Sequence, residues 1–323
     1  MKVHFLHEPD EAIRLHLESR LDPVVCIEYG PVKAPADFEL LIAGRPSRQD
    51  LMASPALKTL VIPFAGLPGA TRDVLRGLSN ITVYNLHHNA SPTAEMAIAL
   101  MLAAMKFILP ADRGLREGDW TLRYQPRQSR MAEGASALVL GYGAVGRRIA
   151  ELCLALGMHV TIMARSSQKQ VPSGCIYRLI DDLDEVLPRT DVLLVCVPHT
   201  EETEGLIEAE RLDLLPEHSV VVNVGRGAVL EESALYHALA EKDILAAGLD
   251  VWYHYPGTEE ERLHTHPSRF PFHELDNVVM SPHMAGGVHD IELRRMEGVA
   301  ELLNRLARGE GCDEHRVDVD RGY

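Results

Sequence analysis

The chain has 323 residues, enough for about two domains with separate cores, and its 46% hydrophobic and 24% charged residues are those of a folded protein rather than a disordered one. A formal charge of -15 with no local basic patch repels a phosphate backbone, which argues against nucleic-acid binding. Five cysteines, Cys26, Cys153, Cys175, Cys196 and Cys312, form no CxxC pair and are odd in number, so a disulfide framework is not expected and a reducing, cytoplasmic setting is.

In chain order, the N-terminus "MKVHFLHEPDE" turns acidic before any apolar run develops, which predicts no signal peptide. Short β-rich runs follow, "KVHFL", "VVCIEY", "FELLIAG", "LKTLVIPF" and "ITVYNL", separated by helical segments such as Glu11 to Glu18 and by Pro- and Gly-containing turns. Ser91-Pro92-Thr93 reads as a helix start, with Ser91 as N-cap, Pro92 in the first turn and a long helix from about Pro92 to Leu109. Its most apolar stretch, Met96 to Met105, is too short to span a bilayer, so no membrane partner is expected. After an irregular basic piece with Trp120 and Tyr124, a second strand series runs "ASALVLGYG", "HVTIMA", "CIYRLI", "DVLLVCVP", "SVVVNVG", "ILAAGLDVW" and "NVVMSPH". A helical segment from His289 to Arg308 then leads into an acidic tail. Alternation of strands and helices predicts an α/β fold with parallel sheets.

The stretch "LVLGYGAVGRRIAELCLALG" carries the first chemical signal. Gly141, Gly143 and Gly146 form GxGxxG between an apolar strand and an amphipathic helix. The first glycine permits a tight turn, the second lets the backbone approach a pyrophosphate, and the third allows close helix–strand packing. The helix N-terminus offers unpaired N–H groups to the anion. About twenty residues on, a carboxylate ordinarily binds the adenine ribose. Ala164, Arg165, Ser166 and Ser167 stand there instead. A guanidinium with hydroxyl groups suits a 2′-phosphate, so NADP(H) is the expected cofactor, with Arg165 and Ser166 as its ligands and NAD(H) as the alternative.

From about Leu57 to Ala307 the chain resembles the D-isomer-specific 2-hydroxyacid dehydrogenase family. The pieces that carry the resemblance are "GYGAVGRRIA", "VCVPHTEETEGLI", "LLPEHSVVVNVGRGAVLEESAL", "AAGLDVW" and "NVVMSPHMAG", in family order and spacing. It implies two Rossmann-like domains with the active site in the cleft between them. One is a flavodoxin-like substrate domain of residues 1–90 plus 290–323, and the other a dinucleotide domain of residues 91–289. It also implies that Ala144, Val145, Val197, Pro198, Thr203, Val224, Asp250 and Gly286 join the three glycines in binding cofactor, with Asp250 beside the nicotinamide carboxamide. Relatives dimerise through the region around the long apolar helix and Trp120, so a homodimer is expected.

Reducing a 2-oxo acid requires a clamp for its carboxylate and an acid for its carbonyl oxygen. Arg226 in "NVGRG" matches the family arginine, whose planar fork suits a carboxylate, and His283 in "SPHMAG" matches the family acid/base. Ala65 and Gly66 in "VIPFAGL" match the loop whose backbone N–H groups hold the substrate carboxylate in relatives. The departure is Tyr255: in "DVWYHYPG" it takes the place of the family glutamate that hydrogen-bonds the histidine. The insertion that follows offers Glu259, Glu260 and Glu261 as substitutes, although a solvated charge run is the plainer reading. His264 and His266 have no third partner in sequence, so no metal is expected.

The expected activity is therefore NADP(H)-dependent reduction of a small 2-oxo acid, glyoxylate- or hydroxypyruvate-like, to the D-2-hydroxy acid. The alternatives are a nucleotide-sensing, corepressor-like protein on the same scaffold and a formate- or phosphite-type dehydrogenase.

Overall fold

The apolar runs become parallel strands, and the central ones are buried on both faces, the arrangement in which main-chain pairing and side-chain burial are satisfied together. The computed structural model describes residues 1–126, 128–165 and 171–322. It divides into two units, Met1–Asn89 with Gly287–Tyr323, and Ala90–Gly286.

The first unit holds β1 (Lys2–Phe5), β2 (Cys26–Tyr29), β3 (Leu40–Ile42), β4 (Thr59–Ile62) and β5 (Thr82–Asn85) in the order β2-β1-β3-β4-β5. Val3, Phe5, Leu40, Ile42 and Val61 face Met296, Val299 and Leu303 of the helix Ile291–Ala307. Leu41, Leu60 and Ile62 point the other way, toward Leu51 and Leu75. Each such fully buried side chain contributes roughly 1.5–3 kcal/mol. The segment after Gly309 is more than a solvated tail. Val317 N–H donates to the Val83 carbonyl at 2.9 Å and Cys312 is buried, so apolar residues among the acidic ones dock along β5.

The second unit holds β6 (Ser136–Leu140), β7 (His159–Ala164), β8 (Cys175–Leu179), β9 (Val192–Val195), β10 (Val220–Asn223), β11 (Ala246–Leu249) and β12 (Val278–Met280). Their order, β12-β11-β10-β9-β6-β7-β8, reverses direction between β6 and β9. Open α/β sheets bind ligands at the carboxyl ends of the strands beside such a reversal. The helix Ala144–Ala155 buries Gly146, Ile149, Ala150 and Cys153, one stripe at helical spacing. The helix Ala90–Met105 packs so closely that a Cβ on Gly248 of β11 would stand 2.8 Å from Leu100 Cβ.

The expected helix from Pro92 to Leu109 is corrected at both ends. It begins at Ala90, so Ser91 lies inside its first turn and is not the N-cap, and it ends at Met105. Phe107 adopts φ 53° and a second helix, Ile108–Arg116, follows. Pro110 explains the break. In a continuous helix its ring would collide with the carbonyl of residue 106, whereas in the first turn of a new helix its missing N–H costs nothing. The piece read as irregular thus holds the helix Ile108–Arg116 and a short one, Thr121–Tyr124. Among the described residues no single helix is long and apolar enough to cross a membrane.

Candidate functional site

The strand ends of the seven-stranded unit carry most of the residues singled out from sequence. Gly141 closes β6 with φ 109°, a conformation side chains other than glycine rarely adopt. A Cβ on Gly146 would lie 2.0 Å from the Gly141 carbonyl oxygen, so helix and turn meet only because that atom is missing. Around Gly143 a Cβ would meet nothing within 4 Å, and the helix Ala144–Ala155 that begins beside it has no side-chain cap. Its first-turn N–H groups, those of Ala144 and Val145 among them, therefore face open space that an anion can enter. Behind the turn the Cys196 thiol donates to the Leu140 and Gly141 carbonyls at 3.2 and 3.3 Å. Burial pushes that thiol up to about 12, so it is a neutral packing group. This cradle fits a dinucleotide pyrophosphate.

Val197 lines the turn: its Cγ1 lies 3.0 Å from where a Gly141 Cβ would be. Thr203 is buried, and its hydroxyl donates to the Pro198 carbonyl at 2.6 Å and accepts the Thr200 N–H at 2.8 Å. It therefore shapes the loop that carries Pro198. Val224 continues β10 and is buried. Arg165 directly follows β7 and is paired with Glu202. Ser166 and Ser167 lie outside the described residues.

Arg226 follows β10 in extended conformation and remains exposed. Asn223, buried at the end of β10, holds the loop from both sides: its carboxamide accepts the Gly225 N–H and donates to the Arg226 carbonyl, both at 3.0 Å. Both glycines of "NVGRG" are needed for contact, since a Cβ on Gly225 would lie 2.6 Å from the Val197 carbonyl oxygen and one on Gly227 2.3 Å from that of Trp252. Trp252 in turn donates its backbone N–H to the Tyr255 hydroxyl at 3.0 Å and its indole N–H to the Ser281 carbonyl at 2.8 Å. Trp252 thus links three loops, meeting Gly227 beside Arg226 with its carbonyl, Tyr255 with its backbone N–H and Ser281 of the His283 loop with its indole.

His283 has φ 56°, a left-handed conformation that costs free energy in a residue with a β-carbon and persists only when neighbours impose it. Asp250, fully buried, imposes it. Its Oδ1 accepts from Ser281 Oγ at 2.6 Å and from the Met284 N–H at 3.0 Å, and its Oδ2 accepts from the Ala285 N–H at 3.0 Å. Gly286 follows in the same loop. Burial and the Arg226 guanidinium hold the His283 imidazole below its ordinary value, and Asp250 acts in the opposite direction.

Tyr255 meets His283 ring against ring. Burial raises its phenol above the ordinary value, so it is neutral throughout the working pH range. Two glutamates of the insertion are engaged locally, Glu261 with the Gly257 N–H at 2.6 Å and Glu259 with Arg262 at 2.9 Å. Among the described residues no group of three His, Cys, Asp or Glu could hold a metal ion.

Ala65 and Gly66 belong to the five-stranded unit, in the bend after β4, where Gly66 has φ 80° and the Phe64 ring covers Gly44. Three residues that sequence reading left without a role hold or meet the candidate residues: Asn223 and Ser281 through hydrogen bonds to the loops, and Glu202 through its pair with Arg165. A lone polar residue closing the apolar run "VVVN" was the available signal for Asn223.

The fold and several segments have known counterparts. A D-3-phosphoglycerate dehydrogenase of Archaeoglobus fulgidus is 36% identical over 224 residues, 68% of this chain and 40% of that protein. A glyoxylate reductase of Aeropyrum pernix is 36% identical over 67% of this chain and 63% of its own length. The chain thus spans less than two thirds of either curated relative. The crystal structure of a D-isomer specific 2-hydroxyacid dehydrogenase from Xanthobacter autotrophicus, in complex with NADPH and MES, superimposes with a TM-score of 0.80 at 24% identity, covering 100% of this chain and 99% of that one. Residues 98–285, more than half of the chain and the stretch that carries the glycine turn, Arg165, Arg226, Asp250, Tyr255 and His283, match the NAD binding domain of D-isomer specific 2-hydroxyacid dehydrogenases, and the chain belongs to that family.

Proposed function

We propose that the protein is an NADP(H)-dependent reductase of a small 2-oxo acid, with Arg226 clamping the substrate carboxylate and His283 as proton donor. The observation that carries this reading is that Arg226 and His283 follow β10 and β12, either side of β11 at the carboxyl edge that also holds the glycine cradle, with their loops joined through Trp252 and Tyr255. When bound, the nicotinamide supplies the hydride. The chain's own residues do the rest.

The Arg226 guanidinium binds the carboxylate through its planar fork and orients the adjacent carbonyl. A protonated His283 ring nitrogen donates to the carbonyl oxygen as it becomes an alcohol, so a 2-oxo acid gains one hydride and one proton. Asp250 keeps the His283 loop in place, and Tyr255 gives the ring a neutral face in place of a carboxylate. Arg165 at the end of β7 supports NADP(H) over NAD(H), because a guanidinium there can pair with a 2′-phosphate. Exposed Trp120 and Tyr124, beside the groove lined by Phe107, Leu115 and Leu122, support a homodimer.

Turnover of a panel of 2-oxo acids with NADPH tests the assignment. One observation favours a second reading: with Tyr255 in the glutamate position, a protein that binds the nucleotide and signals its presence without turnover would bind NADPH tightly yet reduce none of the panel.

A further inference from the structure

The pair between Arg165 and Glu202 reaches across the nucleotide cradle. Arg165 follows β7, Glu202 lies in the loop after β9, and the two strands flank β6, whose carboxyl end is the glycine turn. Glu202 is held at the tip of a rigid turn. The Thr203 N–H donates to the Thr200 carbonyl at 3.1 Å, Glu204 N–H to the same oxygen at 2.9 Å, and Gly205 N–H to Ala228 at 2.7 Å. Thr203 is buried beneath it. The carboxylate is therefore presented to Arg165 by a preformed loop.

We infer that Glu202 is a specificity-determining residue, an internal competitor that occupies the Arg165 guanidinium and must be displaced by the 2′-phosphate of NADP(H). The inference rests on the reading of Arg165 as the phosphate ligand. Arg165 and Glu202 side chains are 36% and 62% exposed, and a pair in that setting is worth at most about fivefold in an equilibrium constant. A phosphate dianion offers the same fork more charge and more acceptor oxygens, so it wins the exchange. A cofactor without the phosphate leaves the pair intact. Glu202 thus lowers the affinity for NADP(H) without a matching effect on NAD(H).

The test is the dissociation constant of NADP⁺ and of NAD⁺, measured calorimetrically, for the wild type, Glu202→Gln, Glu201→Gln, Arg165→Ala and the Arg165→Ala/Glu202→Gln double variant. The expected result is that Glu202→Gln tightens NADP⁺ binding by about three- to fivefold, leaves NAD⁺ within about twofold, and has no effect once Arg165 is gone. An unchanged NADP⁺/NAD⁺ ratio in Glu202→Gln, in a protein whose preference for NADP⁺ is lost in Arg165→Ala, would overturn the role of Glu202. Equal tightening in Glu201→Gln would overturn it too, by showing a general charge effect. A wild type with no NADP⁺ preference, or one whose preference survives Arg165→Ala, would instead overturn the underlying reading of Arg165.

Discussion

The ring of Tyr255 lies against the imidazole of His283 with centroids 5.5 Å apart and planes tilted by 55°, while its hydroxyl is engaged by the Trp252 N–H. A neutral ring thus stands where a carboxylate would stabilise the imidazolium. With burial and Arg226 acting in the same sense, His283 is held below its ordinary value of about 6.5. Reduction consumes the protonated ring, so kcat/KM for reduction is expected to fall as pH rises through that lowered value. Tyr255→Glu should move the limb upward by about one unit, because an adjacent negative charge favours imidazolium. Glu259→Gln and Glu261→Gln should leave it in place, since those carboxylates are engaged within the insertion. A pH–rate profile of each folded variant checks this, and a limb that answers to Glu259 or Glu261 but not to Tyr255 would refute it.

Gly143 and Gly146 should fail differently. A methyl at Gly146 collides with the Gly141 carbonyl, so Gly146→Ala is expected to cost about 1–3 kcal/mol of stability and lower Tm. A methyl at Gly143 meets no protein atom, so Gly143→Ala should melt like the wild type yet bind NADPH at least about tenfold more weakly, through contact with the pyrophosphate. Thermal melts paired with fluorescence titration distinguish the two, and normal NADPH binding by Gly143→Ala would remove the turn from the cofactor site.

His88 should make the protein sensitive to acid. Burial, with Arg295 and His87 nearby, pushes its imidazole down to about 4, and its Nδ1 is buried without a partner. The folded state therefore binds the proton less readily than the unfolded chain. The associated stability is complete above about pH 6.5, declines as pH falls through the window down to about 4, and is lost below it. Full conversion of the shift gives about 3–4 kcal/mol, and solvent screening of the half-buried ring reduces the expected loss to about 2–3 kcal/mol. Urea unfolding between these limits should show the slope in the wild type and a flatter one in His88→Asn; identical slopes would assign the effect elsewhere.

Assembly is testable in solution. Trp120 is 59% and Tyr124 80% exposed in the single chain, and large aromatic side chains exposed on the short helix Thr121–Tyr124 and at its start suit burial against a partner. Sedimentation at micromolar concentration should give twice the chain mass, and Trp120→Glu with Tyr124→Glu should give the monomer. A monomeric wild type would contradict the proposal.

The strand series was legible because parallel strands buried on both faces must be written as short apolar runs, as in "DVLLVCVP" and "SVVVNVG". The glycine turn was legible for a similar reason, since Gly141 and Gly146 each answer a local geometric demand. The break at Phe107 was hidden because the helix-like pattern runs on through Ile108 and Leu109, although Pro110 could have located it. The buried contacts of Asp250 with Ser281, Met284 and Ala285 span more than thirty positions. So does the contact of Arg165 with Glu202. Long-range partners of this kind follow from strand order, which local periodicity does not encode.

Hydride delivery to the carbonyl carbon of a 2-oxo acid is the central claim, and deuterium transfer measures it most directly. The wild-type protein would be incubated with glyoxylate or hydroxypyruvate and NADPH deuterated at its hydride position, and the 2-hydroxy acid product analysed by mass spectrometry. The account predicts one deuterium at the reduced carbon, with product formation lowered at least about hundredfold in Arg226→Gln and in His283→Gln. Tight NADPH binding without deuterated product from any 2-oxo acid would contradict it.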